Sequence, residues 1–376
     1  MSLLRSGRLR VLGYVKFRLR TIGYYLRTGQ WRMLCHFLFV CAFSRDSGLA
    51  LLDPIWRRFP KLNPYPWQIE VENTTRCHLR CPMCEHTYWK LPPRDMTFDE
   101  FKRVVDQFPK LKWIGTTGIG GSFLNKDFLR MIQYVKSRDV YTEMFDSFDR
   151  VKEEDLRTLL SYQMDKIWIS MEAATKATYE QIRVGADFDR VKNNIRLLMR
   201  LKKESGRPIP EVWFHFIISK LNAGEMLPYV DLVKDLAGDT QRNGTMIYWT
   251  ALMAFDKTRD MEVAVAPETR EEIDRRCKEL GIYSVWNDNV TRDRPVVECM
   301  RWTQPFVLSS GHVQCCCAIN EANERDYQVQ TSFGNLFEED FHDIWYSDRY
   351  RNFVKTLRSG KFPACCKNCR IFRECR

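Results

Sequence analysis

The sequence predicts an α/β fold, a partial (β/α)6 TIM-like barrel with a small cysteine-rich extension at its C-terminal end. From residue 66 onwards, short β-branched or apolar runs alternate with helical patterns, which indicates βα units and a parallel sheet. Six such units are too few for a closed eight-stranded barrel. The hydrophobic content of 44% and the charged content of 28% are typical of a globular protein rather than a disordered chain.

The predicted units are bounded by recognisable start and stop signals. In "MTFDEF", Thr97 is a candidate N-cap, and "FDRVKNNIRLLMRLKKESG" ends on Gly206. The predicted strands are 67–71, 112–117, 141–145, 166–171, 211–218 and 245–248. The predicted helices are 97–108, 126–138, 152–161, 189–205 and 225–236. Functional loops of such a sheet lie beyond the C-terminal ends of its strands.

Changes in composition divide the chain into four predicted regions. Residues 1–60 form a basic amphipathic helical segment, and residues 61–255 form the barrel. Residues 256–298 are a charged connector with one helix, "PETREEIDRRCKEL". Residues 299–376 form the cysteine-rich domain.

Basic charge is concentrated at the N-terminal end. Nine of the 59 Lys and Arg residues lie in residues 1–45, where there is no Asp or Glu, so the remainder has 50 basic against 48 acidic residues. A basic arm with aromatic and aliphatic residues between its charges is typical of a helix on an anionic membrane surface. Helices packed on the main domain with a solvated basic face are the alternative. The near-neutral body argues against nucleic acid as a partner.

Cysteine usage predicts metal ligation. The chain has fourteen cysteines, eight of them between Cys299 and Cys375, and no convincing secretory signal precedes them. Disulfides are rare in the reducing cytosol, so clustered thiols there indicate a metal or an iron–sulfur cluster. We therefore expect a cytoplasmic protein, peripheral on the inner membrane face if the basic arm binds lipid.

The stretch "TTRCHLRCPMCEH" directly follows the first predicted strand and contains Cys77, Cys81 and Cys84. A structural zinc site uses four ligands, and a zinc knuckle would need a distant fourth one such as His86. Three thiolates on one loop would instead hold three irons of a [4Fe–4S] cluster and leave the fourth iron free. The C-x3-C-x2-C spacing after a strand resembles the signature of the radical S-adenosylmethionine (SAM) superfamily.

This resemblance continues through "MDKIWISMEAATKATYEQIRVG" and "FHFIISKLNAGEM" and implies a chemistry. In the superfamily the free iron binds SAM, and an electron from the cluster cleaves the sulfonium. The resulting 5′-deoxyadenosyl radical then abstracts a substrate hydrogen. A low-potential donor such as a flavodoxin or a ferredoxin would supply the electron.

The same resemblance implies contacts with SAM. The residues assigned to SAM are Met83, Gly118, Gly120, Ser170 and Arg183. In the family, a glycine-rich turn after the second strand ends in Glu-Pro, whereas this chain has Gly121 and Ser122 at those positions. Glu172 or Asp146 would then hold SAM in place of the missing glutamate.

An oxidation of the substrate would also need a base near the reacting carbon. We expect Glu172 and His215 to be catalytic, and Glu143 and Asp146 are further candidates on or just after predicted strands. Each of these side chains is also compatible with a hydrogen-bonded structural role.

The C-terminal cysteines resemble the SPASM extension of radical SAM enzymes and its shortened relative, the twitch extension. The spacings are Cys299-x11-Gly311-x4-Cys316 and Cys366-x2-Cys369-x5-Cys375. They imply an auxiliary [4Fe–4S] cluster on Cys299, Cys316, Cys366 and Cys369. Cys375 is an alternative ligand, and Cys315 or Cys317 is a replacement for Cys316.

Two further expectations concern this domain. Adjacent cysteines are not expected to serve one cluster together, because successive side chains of an extended chain point to opposite sides. A zinc ribbon is the alternative to an auxiliary cluster, since C-x2-C is common in zinc sites.

The substrate is not fixed by fold and cofactor. The basic arm favours a lipid or a lipid-linked saccharide at the membrane surface. A ribosomal peptide, as in SPASM maturases, and a soluble sugar alcohol, as in a dehydrogenase, are the alternatives. Peptide-modifying relatives often carry an N-terminal winged-helix module, which this helical segment does not resemble. The non-enzymatic alternative is a zinc-binding membrane adaptor.

Overall fold

The computed structural model describes residues 15, 18–43, 52–59, 62, 65–238, 245–291, 293–366 and 368–375. Part of the predicted basic arm, including Arg5, Arg8, Arg10, Lys16 and Arg45, lies outside the described residues.

The described elements alternate as the sequence predicts. The strands are β1 (Gln68–Glu72), β2 (Trp113–Thr117), β3 (Tyr141–Asp146), β4 (Lys166–Ser170), β5 (Glu211–Ile218), β6 (Thr245–Ala251), β7 (Tyr283–Trp286), β8 (Arg294–Pro295), β9 (Phe306–Val307), β10 (Val313–Gln314) and β11 (Phe372–Arg373). The helices are α1 (18–27), α2 (Trp31–Phe43), α3 (Asp53–Arg58), α4 (Phe98–Asp106), α5 (Phe128–Lys136), α6 (Glu153–Ser161), α7 (Lys176–Ile182), α8 (Phe188–Ser205), α9 (Met226–Ala237), α10 (Pro267–Glu279), α11 (Asp288–Thr291), α12 (Cys317–Ala322), α13 (Arg325–Gln330), α14 (Phe341–Tyr346) and α15 (Asp348–Arg358).

The central sheet is parallel and open. Strands β1 to β7 pair in sequence order, each with the next. This confirms a partial barrel and the six predicted strands. β7 is an additional strand that pairs with β6 and extends the barrel. The sequence does not predict it, because the charged residues around it are typical of a connector.

The C-terminal region joins the same sheet on its other side. β9 pairs in parallel with β1, and β10 pairs antiparallel with β9. The cysteine-rich residues between β10 and β11 therefore lie beside the first barrel strand. That strand is also the one that leads into the cysteine loop.

The predicted helix signals act as expected. The Thr97 side chain accepts from the Glu100 amide, and the Glu100 carboxylate accepts from the Thr97 amide, which makes a capping box at the start of α4. Gly206 ends α8 in the left-handed conformation with φ of 65°.

The inside of the barrel is polar and aromatic in the N-terminal halves of β3, β4 and β5. The Lys166 ammonium lies 3.1 Å from the Glu143 carboxylate and is also close to the rings of Trp168 and Trp213. These residues alternate with outward-facing apolar ones that pack under the surrounding helices. Glu143 and Trp168 also form part of the lining of a cavity towards the C-terminal ends of the strands.

The N-terminal helices close the barrel at the N-terminal ends of its strands. Buried residues of α1 and α2, among them Tyr25 and Phe37, pack with Trp67, Trp113 and Tyr141. The Tyr25 hydroxyl donates to the Asp165 carboxylate at 3.0 Å. This is the packed-helix arrangement that the sequence left as an alternative to membrane attachment. Within the described residues, no helix combines the length and the apolar character required to cross a bilayer.

We predict that Tyr25→Phe lowers the free energy of unfolding by about 2 kcal/mol, because it removes a buried hydrogen bond to a charged group. Tyr24→Phe is the matched control, since the Tyr24 hydroxyl makes a longer contact of 3.3 Å to Gln163 at a more exposed site. Urea denaturation followed by circular dichroism measures both. Equal urea midpoints for the two variants would show that the hydrogen bond from Tyr25 to Asp165 does not stabilise the fold.

Candidate active site

The loop with the three cysteines begins directly beyond the end of β1 and is held there by its backbone. The Arg76 carbonyl accepts from the Gly121 amide at 2.9 Å, and the Arg80 amide donates to the Val184 carbonyl at 2.9 Å. These contacts tie the loop to the turns after β2 and α7. The three cysteines therefore lie at the C-terminal rim of the sheet, where α/β proteins bind ligands.

The three thiols of this loop are sheltered from solvent. Cys81 is buried, Cys77 and Cys84 are half-buried, and all three line one cavity of about 290 Å³. Burial raises the pKa of each thiol, most strongly for Cys84. A cationic metal centre is what would hold such thiols as thiolates.

The donor set of this loop fits a cluster better than a structural zinc ion. The loop brings three thiols to one cavity, whereas a structural zinc site uses four protein ligands. A cubane binds each cysteine at a separate iron, so three thiols fit a [4Fe–4S] cluster with three protein ligands.

The side chains predicted to contact SAM gather around the same cavity. The residues of this set that line it are Met83, Gly118, Gly120, Ser170 and Arg183. They come from the cysteine loop, the turn after β2, the end of β4 and the end of α7. Their assignment to SAM stays a prediction, and their convergence on one cavity supports it.

The glycines of the turn after β2 have a structural cause that the sequence did not reveal. A Cβ on Gly118 would lie 2.6 Å from Cγ of Glu72, and a Cβ on Gly120 would lie 2.2 Å from the Thr74 carbonyl oxygen. Gly118 also has φ of +132°. The turn is glycine-rich because it presses on the end of β1, and this brings its backbone to the cavity.

Arg183 is fixed by Glu172. The Arg183 Nε donates to Glu172 Oε2 at 2.7 Å, and Nη2 donates to the other carboxylate oxygen. Arg183 Nη1 lies 3.9 Å from the Cys81 sulfur. Glu172 is fully buried and does not line the cavity, whereas Arg183 does. This arrangement supports a positioning role for Glu172 rather than the predicted role as a base.

His215 lines the cavity but is a weak base. Burial, with a contribution from Arg183, lowers the pKa of His215 to about 3. Its Nε2 lies 3.0 Å from the Thr250 hydroxyl oxygen. The imidazole is therefore neutral at physiological pH and suited to hydrogen bonding.

Asp146 is better suited to act as a base than Glu172 or His215. It ends β3, lines the cavity, and accepts from the Phe148 amide at 2.8 Å and the Ser122 amide at 3.1 Å. Burial raises the pKa of Asp146 to about 6 despite these two donors. A carboxylate with a pKa close to neutrality is an efficient proton acceptor.

The C-terminal cysteines form a second site, around a smaller cavity of about 80 Å³. The cysteines that line it are Cys299, Cys315, Cys316, Cys317, Cys365, Cys366 and Cys369. The four expected ligands are all in this set. Cys375 is not: it is exposed, and it lies beside Gly360, whose carbonyl accepts from its amide at 2.9 Å.

The expectation that adjacent cysteines point apart is wrong for Cys365 and Cys366. Their sulfur atoms are 3.9 Å from each other, and both lie close to Cys315. The reason is local backbone structure, because Ala364–Cys366 form a 3₁₀ turn rather than an extended segment. Neighbouring thiols can therefore face the same cavity.

The two cavities share a wall. Residues that line both of them are Met253, Asn287, Arg301, Cys317 and Glu321. Cys317 and Glu321 lie one turn apart on α12. The two cysteine sites therefore belong to one continuous active region rather than to separate modules.

Comparison with known proteins agrees with this architecture. The model of the radical SAM superfamily matches residues 71–213, and the model of the SPASM iron–sulfur cluster-binding domain matches residues 299–370. This chain belongs to the radical SAM superfamily. The second match gives it a SPASM domain as well, so the protein is a radical SAM enzyme and not a zinc-binding adaptor.

Three comparisons give the extent of similarity. The tungsten-containing aldehyde ferredoxin oxidoreductase cofactor-modifying protein of Pyrococcus furiosus is 25% identical over 312 residues, 78% of this chain and 85% of that protein. The PqqA peptide cyclase of Granulibacter bethesdensis is 23% identical over 316 residues, 81% of this chain and 79% of that protein. The structure of Streptococcus suis SuiB with SAM has a TM-score of 0.62 at 13% identity, covering 93% of this chain and 82% of that one, which shows a shared fold.

The cofactors follow from this membership. They are SAM, a [4Fe–4S] cluster that binds it, and auxiliary iron–sulfur in the SPASM domain. When bound, the cluster and SAM supply a carbon radical that can abstract hydrogen from an unactivated position. The residues that would hold them are the loop cysteines and, in the SPASM domain, the seven cysteines around the smaller cavity.

We predict that Cys369→Ser removes about four of about eight irons per reconstituted chain, because it takes a ligand from an auxiliary [4Fe–4S] cluster. Cys375→Ser is the matched control and should keep the wild-type iron content, since Cys375 does not reach the cavity. Iron analysis after anaerobic reconstitution measures both. Iron loss in Cys375→Ser would restore it as a ligand, and about twelve irons in the wild type would mean two auxiliary clusters.

Proposed function

We propose that this enzyme modifies one side chain of a peptide. Two of the similar proteins support this by name, the PqqA peptide cyclase and SuiB, whose structure is also known with its precursor peptide. The proposal replaces the lipid substrate that the basic arm favoured. The apolar residues of α1 and α2 that favoured it pack largely against the barrel.

The size of the cavity carries the proposal. At about 290 Å³ it is at the small end of ligand pockets, and it must hold SAM as well as the reacting group. A substrate that enters as one side chain of a longer chain fits this space. The aromatic side chains Phe145, Trp168 and Tyr248 line it and would pack against such a side chain.

The polar residues have separate roles in this proposal. Glu172 holds Arg183 beside Cys81, so that the guanidinium stays aimed at the cavity. Asp146 accepts a proton from the substrate side chain. His215, neutral and bonded to Thr250, orients that side chain. The wall that the two cavities share supports a substrate position between the two cysteine sites.

We predict that co-expression with candidate precursor peptides yields one peptide with altered mass, and that the purified enzyme cleaves SAM to 5′-deoxyadenosine. Cys81→Ala should abolish both, because it removes a cluster ligand. Cys277→Ala is the matched control, since Cys277 is buried in an apolar cluster away from the cavity. Mass spectrometry reads out both products. A wild-type enzyme that cleaves SAM but alters lipid extracts and no peptide would refute the peptide proposal.

A membrane location is a second candidate, supported by the outer face of the N-terminal helices. Leu19, Leu26, Trp31 and Leu38 are exposed there, between 44% and 62% of their surface. Trp31 and Leu38 are seven residues apart and therefore share one face of α2. Exposed arginines flank them, including Arg32. An apolar stripe beside basic residues is typical of helices that lie in the headgroup region.

We predict for this candidate that Trp31→Glu weakens co-sedimentation with phosphatidylserine vesicles by about tenfold, because it adds charge to the buried face of an interfacial helix. Tyr346→Glu is the control, since Tyr346 is an exposed aromatic residue of the C-terminal domain. Point variants are preferable to removal of residues 2–45, which would strip the barrel of its packed cap. A wild-type protein that stays in the supernatant would exclude membrane attachment.

A further inference from the structure

Arg325 lies where the SPASM domain meets the SAM site. It is the first residue of α13, and its side chain is only 6% exposed. Its Nη2 donates to Glu72 Oε2 at 2.6 Å, and Glu72 is the fully buried last residue of β1. A residue of the auxiliary domain thus forms a buried ion pair with the strand that leads into the cysteine loop.

Glu72 in turn contacts the glycine turn after β2, which is predicted to bind SAM. Its Cγ is the atom that a Cβ on Gly118 would strike, so the glycine turn packs directly on its side chain. Its other carboxylate oxygen accepts from the Ser309 amide at 3.1 Å and from the Ser309 hydroxyl at 2.9 Å. Glu72 is therefore held from the SPASM side by two residues while it supports Gly118 on the other.

The same guanidinium also reaches the cysteine loop. Arg325 Nη2 lies 3.9 Å from Glu85 Oε1, and Glu85 directly follows Cys84. Gln328, one turn later on α13, donates to Glu85 Oε1 at 2.9 Å. The guanidinium carbon lies 4.8 Å from the centre of the Trp89 ring, near the end of the same loop.

Charge makes this arrangement sensitive to the arginine. One guanidinium faces two carboxyl groups that are buried with it, and its loss would leave the Glu72 carboxylate without its ion-pair partner. A lysine cannot replace it fully, because one ammonium cannot contact both carboxylates and the Trp89 face in the same way. Ordinary apolar packing between the domains would not have this dependence.

We propose that Arg325 is a positioning residue through which the SPASM domain sets the geometry of the SAM site. It acts on the cysteine loop through Glu85 and Trp89, and on the glycine turn through Glu72. The SPASM domain then does more than hold auxiliary iron, because the SAM site is incomplete without α13. This inference does not depend on the identity of the substrate.

The test measures SAM binding and the electron paramagnetic resonance spectrum of the reconstituted, dithionite-reduced enzyme without any peptide. Arg325→Gln should raise the dissociation constant of SAM about 10- to 100-fold, in the range seen when residues that orient metal ligands are removed. The change that SAM causes in the spectrum of the reduced cluster should be diminished or lost. Arg325→Lys should lie between Arg325→Gln and the wild type.

Controls separate positioning from a general loss of stability. Arg351→Gln, at an exposed arginine of α15 in the same domain, should bind SAM like the wild type. Glu72→Gln should resemble Arg325→Gln, and the double variant should be no worse than either single one, because the two residues act as a unit. Iron content, measured for each, reports whether the clusters load.

Two results would overturn the proposal. One is wild-type SAM affinity and spectra in Arg325→Gln, even if it melts at a lower temperature. The second result matters if Arg325→Gln fails to fold or to load iron. In that case, wild-type SAM affinity in both Arg325→Lys and Glu72→Gln would overturn the proposal. Neither outcome depends on peptide turnover, so the peptide proposal is tested separately.

Discussion

The constraint on which the structure depends is that one loop must present three thiols to a single centre and leave part of that centre open. A free loop could not do this, because ordering each of its residues costs about 1–2 kcal/mol of conformational entropy. The parallel sheet meets this requirement because β1 and β2 end at the same rim, and the turn after α7 lies beside it. Backbone hydrogen bonds at Arg76 and Arg80 then fix both halves of the loop.

Much of the barrel and of this loop could be predicted from the sequence, because periodicity and spacing are local signals. The six strands were placed within three residues of their observed ends, and the loop cysteines line one cavity. The short β9 and β10 were missed, since two-residue strands carry no periodic pattern. The 3₁₀ turn that brings Cys365 and Cys366 together leaves no signal that distinguishes it from an extended segment.

Ion pairs between residues far apart in the chain could not be predicted from the sequence either. Glu72 and Arg325 are 253 residues apart, and nothing in either neighbourhood marks them as partners. Glu172 illustrates the same limit, because a carboxylate after a barrel strand is compatible with a base until its ion pair with Arg183 is seen. Asp146 was one of several candidates in the sequence, and what distinguishes it from the others is the effect of burial on its pKa, which a sequence pattern does not measure.

The two ends of the barrel are closed by different forces, and this difference has a physical reason. The N-terminal ends are covered mainly by apolar contacts from α1 and α2, with one buried hydrogen bond from Tyr25 to Asp165. Apolar contacts tolerate small shifts because the hydrophobic effect is not directional. The C-terminal rim is covered by the SPASM domain through a buried ion pair and buried hydrogen bonds, which are directional and costly to leave unpaired. A site that must hold two cysteine centres in a fixed relation across one shared wall needs the directional kind of contact. The chain uses it at the rim, where the chemistry takes place.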